Sequence, residues 1–413
     1  MMIKRFDLHI NTAQLGVLKV AEVALLEADG RLQETGFRYS ADYLAHPAAF
    51  AIDPVCLPLR PGEFRLLCHS AAPAFIDDYL PDAWGRKVLT RLALHQHQQR
   101  LNANCVSDML GFLQQVSSRI GALCFTATGQ APVYHEGLSL EQLVPVEQLA
   151  CQLDQQAYSQ LAGEAASLLY LANSGSGVGG ARPKALVQDQ GVAYLAKFNR
   201  ATDPYNNART ELACLLMAQA AGISMGNGRV VSGINGREVL LLERFDVRGA
   251  ARRHLITANG LLKDPRSQQD PGQSFSYNDL HRLLQKYSCA IEDDLQQLIR
   301  LMLFNRCINN TDDHERNFSF MHDGCGYRLA PAYDLVPGMN PGDYHAAGFD
   351  YRPWPPGLQE AARLRQLFGV PAGVIAEIVE QLHAALKRWP EFAAAAGMSG
   401  EDAQRVGQVI RMD

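Results

Sequence analysis

Apolar side chains alternate with polar ones along the first forty residues. Phe6–Ile10, Gly16–Val23 and Leu32–Tyr39 are rich in aromatic and β-branched residues, and Asp29-Gly30 supplies a turn signal, so the pattern predicts three strands joined by tight connections. The period then lengthens. From Asp78 to about Leu101 the positions Val88, Leu89, Leu92 and Leu94 follow helical spacing, and Arg119–Phe125 predicts a closing strand. Gly, Pro and polar residues from Thr126 to Gly137 mark a boundary.

A polar helical pattern covers Leu138–Leu171, and the densest turn signal of the chain follows, from Asn173 to Lys184. Strand-like Ala185–Val187 and Val192–Phe198 flank a short turn, so this glycine-rich loop feeds a hairpin and does not open a helix. A helix is predicted from about Arg209 to Ala221, then strands at Gly228–Ser232 and Val239–Glu243. Beyond residue 275 the pattern is mainly helical: Leu280, Leu283, Leu284, Leu295–Phe304 and later Ile375, Ile378, Val379, Leu382 and Leu386 form apolar faces.

Composition narrows the class. With 413 residues, 47% hydrophobic and 20% charged, the chain has room for two or three folded units and lacks the signature of disorder. Lys and Arg total 38 against 43 Asp and Glu, a net charge of -5, so no global field draws it to nucleic acid or to anionic membrane. The nine cysteines are odd in number and none is spaced C-x-x-C, which supports neither a disulfide framework nor a zinc site and predicts a reducing, cytoplasmic setting. No apolar run reaches 18 residues, so neither secretion nor a membrane span is expected.

Chemistry concentrates in Asn309-Asn310-Thr311-Asp312-Asp313-His314-Glu315-Arg316-Asn317-Phe318-Ser319. Adjacent ionisable residues directly after an apolar helix are expensive to bury and need either a task or an exposed turn. Asp312 and Asn317 stand five apart, the Asp-x-x-x-x-Asn spacing of a kinase catalytic loop, and Asp334 ends a later strand-like run where a second Mg²⁺ ligand belongs. A polar helix-to-strand turn accounts for the same residues. Upstream, the glycine-rich loop can lay backbone N–H groups over phosphates but is not a Walker A motif, since Lys184 precedes Ala. Lys197 fits either an outward-facing strand lysine or a phosphate-binding one. Glu211 fits either a first-turn helix glutamate or the partner of Lys197, and Leu240–Asp246 occupies the place of an adenine-binding hinge. The order of these elements along the chain is that of a kinase.

Four motifs resemble the HipA-type toxin kinases of bacterial type II toxin–antitoxin systems. They are Tyr79-Leu80-Pro81-Asp82-Ala83-Trp84-Gly85-Arg86, Gly179-Gly180-Ala181-Arg182-Pro183-Lys184, Glu243-Arg244-Phe245-Asp246, and Asn310-Thr311-Asp312-Asp313-His314-x-x-Asn317 with Pro331-Ala332-Tyr333-Asp334. The resemblance implies an α+β, kinase-like bilobal fold with a β-rich N-lobe (136–248), an all-helical C-lobe (249–413) and a small N-terminal α/β subdomain (1–135). It implies a Ser/Thr protein kinase using ATP and Mg²⁺, with Asp312 as catalytic base beside Lys197 and Asn317, and Asn317 and Asp334 as metal ligands. Nucleotide contacts would come from Gly179, Gly180, Ala181, Arg182, Pro183, Lys184, Lys197, Glu243, Arg244, Phe245, His314, Asn317, Tyr333 and Asp334, with Glu211 in a supporting ion pair. The implied partners are a small helix-turn-helix antitoxin that carries most of the DNA contact, and a translation factor as substrate, an aminoacyl-tRNA synthetase such as glutamyl-tRNA synthetase being the known type.

The chain departs from the family pattern at one position. Where the family commonly carries an autophosphorylated Ser, three residues before the Gly of Gly-Ala-x-x-Lys, this sequence has Gly177, which leaves Ser176 and Ser174 as displaced candidates. Arg248, Arg252, Arg253 and His254 form a basic cluster that reads as a solvated loop or a phosphate contact, and His95 and His97 lack further metal-spaced ligands. Three other activities remain compatible with these residues: a kinase of small-molecule hydroxyls, a non-catalytic nucleotide-binding corepressor, and a metallohydrolase built on Asp312-Asp313-His314.

Overall fold

The computed structural model describes residues 2–69, 71–81, 85–86, 89–90, 93–94, 98–113, 119–134, 137–144, 184–199, 203–232, 238–263, 275–340 and 344–412. An antiparallel sheet opens the chain: β1 (Met2–Thr12), β2 (Gly16–Ala28), β3 (Arg31–Tyr39), β4 (Glu63–Leu67) and β5 (Leu123–Ala127), in the order β4-β3-β2-β1-β5. Asp29 and Gly30 both take positive φ, 52° and 72°, the two-residue geometry that matches the twist of a hairpin. One face of the sheet is covered by α1 (Ala41–Ala45), α2 (Ala74–Asp77) and α3 (Val106–Leu113), around a core of Leu8, Val23, Phe37, Phe75, Leu110 and Phe125. The helix expected from Asp78 does not start there: α2 precedes it, residues 78–79 form a turn, and Gly85, Arg86, Leu89, Thr90, Ala93 and Leu94 are the described helical positions. His95 and His97 lie outside the described residues.

The second sheet holds β6 (Leu138–Ser139), β7 (Lys184–Asp189), β8 (Val192–Phe198), β9 (Gly228–Ser232) and β10 (Glu238–Glu243), in the order β6-β7-β8-β10-β9. The start of the stretch expected to be helical from Leu138 is a strand. Leu138–Ser139 pairs in parallel with β7, and a 3-10 turn at Leu140–Gln142 follows, fixed by the Gln142 side chain reaching back to the Ser139 N–H. Residues 145–183 lie outside the described residues, and with them Ser174, Ser176, Gly179, Gly180, Ala181, Arg182 and Pro183.

Helix α4 (Asn207–Ala220) starts at an Asn206 cap that accepts the Arg209 N–H, and it buries Ala213, Met217 and Ala218 in the largest core. That core is built by the leucine faces of α6 (Tyr277–Tyr287), α7 (Ile291–Cys307) and α8 (Ala372–Lys387). The part expected to be helical throughout also carries a three-stranded sheet of β13 (His254–Thr257), β14 (Ser319–His322) and β15 (Tyr327–Leu329), next to the short hairpin β11 (Val247–Arg248) and β12 (Ala251–Arg252) and the one-turn helix α5 (Ala258–Leu262). These strands run two to four residues, too short to imprint a period of two, and His254–Thr257 pairs with a segment some sixty positions onward. Among the described residues no helix is long and apolar enough to cross a membrane.

Candidate active site

Lys197 sits on the sheet-facing side of a cleft between the second sheet and the helical part. Its ammonium reaches two carboxylates, Glu211 Oε1 at 2.5 Å and Asp334 Oδ1 at 2.6 Å. The geometry follows from the elements: β8 fixes the lysine by pairing with β7 and β10, and α4 presents Glu211 in its first turns while its far face is anchored in the helical core. Asp334 takes a left-handed φ of 61° just after Tyr333, which turns the chain there. Burial alone would raise the Asp334 carboxyl, but the Lys197 ammonium, helped by Lys184, pulls it down to about 2. For Glu211 burial wins over the Lys197 charge and its carboxyl stays above its ordinary range. Lys197 holds its proton more firmly than a free lysine: burial opposes the charge, and Asp334 and Glu211 outweigh it.

The catalytic-loop candidate leaves α7 through Asn309, whose φ of 55° reverses the chain. Asp312 points outward, its side chain 82% exposed, with His314 Nε2 3.9 Å from Oδ1. Although the side chain reaches solvent, desolvation by the protein around it raises its carboxyl above the ordinary range; Asp334 and Asp313 add to this, and His314 opposes them. Asn317 folds back so that its Nδ2 donates to the Asp312 carbonyl at 2.8 Å, while its Oδ1 is buried with no hydrogen-bond partner. Asn317 offers a buried, unpaired amide oxygen and Asp334 a carboxylate held ionised, both donor types that suit a hard divalent cation, so the two residues fit Mg²⁺ by their chemistry.

The loop is braced from behind. Asp313 is fully buried and accepts the Tyr277 hydroxyl at 2.8 Å and the Ala347 N–H at 3.1 Å, with His345 Nδ1 at 3.0 Å. Asn305 donates to the Tyr277 hydroxyl, and Asn310 donates both to Asn305 and to the Asp334 carbonyl, which ties the two halves of the site together.

The cleft is lined by Leu195, Leu215, Met225, Leu242, Phe245 and Tyr333 above the Lys197 cluster. Phe245 and Tyr333 stack with ring centroids 6.2 Å apart, and an apolar slot ending in charge suits a nucleotide base with its phosphates. Glu243 is on the rim and accepts from Asn227 Nδ2 at 2.9 Å. Arg244 borders the cleft, but its guanidinium is turned to a buried bidentate pair with Asp246 and to the Arg119 carbonyl, so it docks the N-terminal unit where a nucleotide contact was expected. The basic cluster is not a solvated loop either: Arg252 donates to the same Arg119 carbonyl and His254 is buried. Pattern reading missed Lys184 as the cross-strand neighbour of Lys197, and missed the bracing of Asp313. It also gave no sign that Ile120 of the N-terminal unit lines the cleft.

Residues 17–126 match the HipA N-terminal domain and residues 176–389 the HipA-like C-terminal domain. A curated protein of Sinorhizobium fredii, Y4mE, whose name carries the word kinase, is 29% identical over 136 residues, which are 31% of this chain and 32% of that protein, so the chain matches about a third of its length. The HipA of Shewanella oneidensis MR-1, solved with HipB and its operator DNA, superposes with a TM-score of 0.66 over 98% of this chain and 94% of that one, at 18% identity. The two domain matches span most of the chain, and the fold agrees with them from end to end: this chain belongs to the HipA family.

Proposed function

We propose that the chain is an ATP- and Mg²⁺-dependent Ser/Thr protein kinase acting as the toxin of a two-protein module. The observation that carries this is the single ammonium of Lys197 bonded to both Glu211 and Asp334, in a cleft that also presents Asp312, whose carbonyl holds Asn317. In the reaction Asp312 accepts a hydrogen bond from the acceptor hydroxyl and takes its proton as the oxygen attacks the γ-phosphorus, ADP being the leaving group. Lys197, fixed by Glu211, donates to phosphate oxygens and stabilises their charge as the bond breaks. Mg²⁺, held by Asn317 and Asp334, supplies further charge neutralisation on the phosphates when bound. The Phe245 and Tyr333 rings hold the base, and Lys184 with the glycine-rich segment covers the phosphates.

The Shewanella protein was solved with HipB and operator DNA, which supports a small helix-turn-helix antitoxin as partner here and suits a chain of net charge -5. The exposed setting of Asp312 supports a macromolecular acceptor, and the motif resemblance points to a translation protein of the aminoacyl-tRNA synthetase type. The test is incubation of the wild type and Asp312→Asn with γ-labelled ATP, Mg²⁺ and lysate, followed by phosphoproteomics. A phosphoprotein made by the wild type alone supports the kinase and names its target, and a phosphopeptide covering residues 174–184 would identify Ser176 or Ser174. Label on metabolites only would reassign the substrate class, and nucleotide binding without any transfer would favour the corepressor.

A further inference from the structure

Asp77 and Asp78 close the short helix α2 of the N-terminal unit, far in sequence from every group used above, yet both reach into the site. Asp77 Oδ2 accepts from the Arg316 guanidinium at 2.7 Å, and Arg316 is the residue directly before Asn317. The Arg316 carbonyl in turn accepts the Tyr333 hydroxyl at 2.9 Å, and Tyr333 directly precedes Asp334. Asp78 takes a second route to the same place. Its two oxygens meet the Thr257 N–H and hydroxyl, each at 2.7 Å; Thr257 pairs with Ser319 across β13 and β14, and Ser319 Oγ lies 2.7 Å from the Tyr333 hydroxyl.

The contact is built for close approach. Asn259 Nδ2 also donates to Asp77, at 3.2 Å, and Gly260 faces α2 so closely that an added Cβ would stand 2.7 Å from Ala74 Cβ and 3.0 Å from Asp78 Oδ2. Two adjacent carboxyls of one unit therefore hold, through Arg316 and Thr257, the residues directly before both candidate metal ligands, Arg316 and Tyr333.

We propose that Asp77 and Asp78 of the N-terminal unit are positioning residues for the metal-binding side chains Asn317 and Asp334, acting through Arg316, Thr257 and Tyr333. The N-terminal unit is then part of what sets the affinity of the site for metal-bound nucleotide, and a partner that shifts α2 would change that affinity without touching the cleft. This rests on the kinase reading for the identity of the ligand, but not for the existence of the coupling.

The test uses the full chain as wild type, Asp77→Asn, Asp77→Glu, Arg316→Gln, the Asp77→Asn/Arg316→Gln double variant and Gly260→Ala. Two quantities are read: the affinity for a non-hydrolysable ATP analogue with and without Mg²⁺ by titration calorimetry, and amide hydrogen exchange across residues 311–319. Asp77→Asn is expected to lose about 5-fold or more of the Mg²⁺-dependent gain in affinity while metal-free binding holds, and to speed exchange in the loop. Asp77→Glu should restore both, and the double variant should be no worse than Arg316→Gln alone. Gly260→Ala, which leaves every charge in place, should loosen the loop in the same direction. A folded Asp77→Asn with unchanged Mg²⁺-dependent affinity and unchanged exchange overturns the proposal. If the wild type shows no Mg²⁺-dependent nucleotide binding while exchange still answers to Asp77→Asn, the coupling is supported and the kinase reading fails.

Discussion

Lys184 stands directly opposite Lys197 across the antiparallel pair β7 and β8, and both are buried. Like charges facing each other across strands repel, and Glu211 and Asp334, which lie against Lys197 and feel Lys184 as well, offset that repulsion. Among the described residues, the two carboxylates thus set negative charge against both cations.

Removing Lys197 breaks that balance. In Lys197→Met the Glu211 and Asp334 carboxylates lose the ammonium between them, and the variant is expected to lose on the order of 3 kcal/mol of stability in denaturant titration. Phosphoryl transfer should fall at least about 100-fold in kcat/KM. Adding Glu211→Gln should return part of the stability and none of the activity. A Lys197→Met protein as stable as the wild type would mean that the two carboxylates do not repel in the folded state.

As the proposed base, Asp312 should govern the acidic limb of the rate profile. Asp312→Asn should lower kcat by about 10²- to 10⁴-fold with nucleotide affinity little changed, since the side chain is mostly exposed to solvent. Only the ionised carboxylate accepts the hydroxyl proton, and its titration is shifted upward by desolvation, Asp334 and Asp313, so activity should fade on acidification at a pH above the ordinary aspartate range. His314 opposes that shift, and His314→Ala should move the limb to still higher pH. A limb that stays in place would show that another group titrates there.

How much of this was readable beforehand depends on the range of the interaction. The Lys197–Glu211 contact spans 14 positions, one strand and one helix, and local patterns fix where each residue falls on its element. The core faces of α6 and α7 were readable for the same reason, since Leu280, Leu284 and Leu298 repeat with the helical period. The docking role of Arg244 was not legible because its motif says nothing about Arg119, 125 positions earlier, whose carbonyl it bonds. The sequence pattern does not single out Asp77 and marks Asp78 only as the start of a helical segment, because their partners Arg316 and Thr257 lie 239 and 179 positions away. The three-stranded sheet escaped notice because strands of three or four residues carry no measurable alternation.

Stability should depend on pH through Asp78. Burial raises its carboxyl from an ordinary value of 3.8 to about 7, the nearby Asp77 adding to the effect and the Thr257 hydrogen bonds and Arg316 opposing it. Between those two values the folded chain keeps a proton that the unfolded chain has released, so this group makes stability fall as pH rises from about 4 to about 7 and level off beyond. Asp78→Asn keeps the shape and cannot ionise, so its stability should lack that decline, with a difference from wild type on the order of 4 kcal/mol across the interval. Urea titrations at a series of pH values check this, and parallel curves for the two proteins would refute it.

Gly226 tests where the base sits. A Cβ there would stand 2.6 Å from the Glu243 carbonyl oxygen, and neither backbone can yield alone: the Glu243 N–H donates to the Asn227 carbonyl at 2.7 Å, and Gly228 pairs with Leu242 in the same sheet. Both residues line the slot closed by Phe245 and Tyr333, so relieving the clash must move a wall of that slot. Gly226→Ala is therefore expected to raise KM for ATP about 10-fold, a cost within the 1–3 kcal/mol typical of overpacking, while kcat at saturating ATP changes little because Lys197, Glu211 and Asp334 stay paired. Gly373→Ala, in α8 with open space around its Cα, serves as the neutral control. An unchanged KM in Gly226→Ala would place the base elsewhere in the cleft, and a fall in kcat alone would mean that the wall of the slot and the Lys197 cluster move as one body.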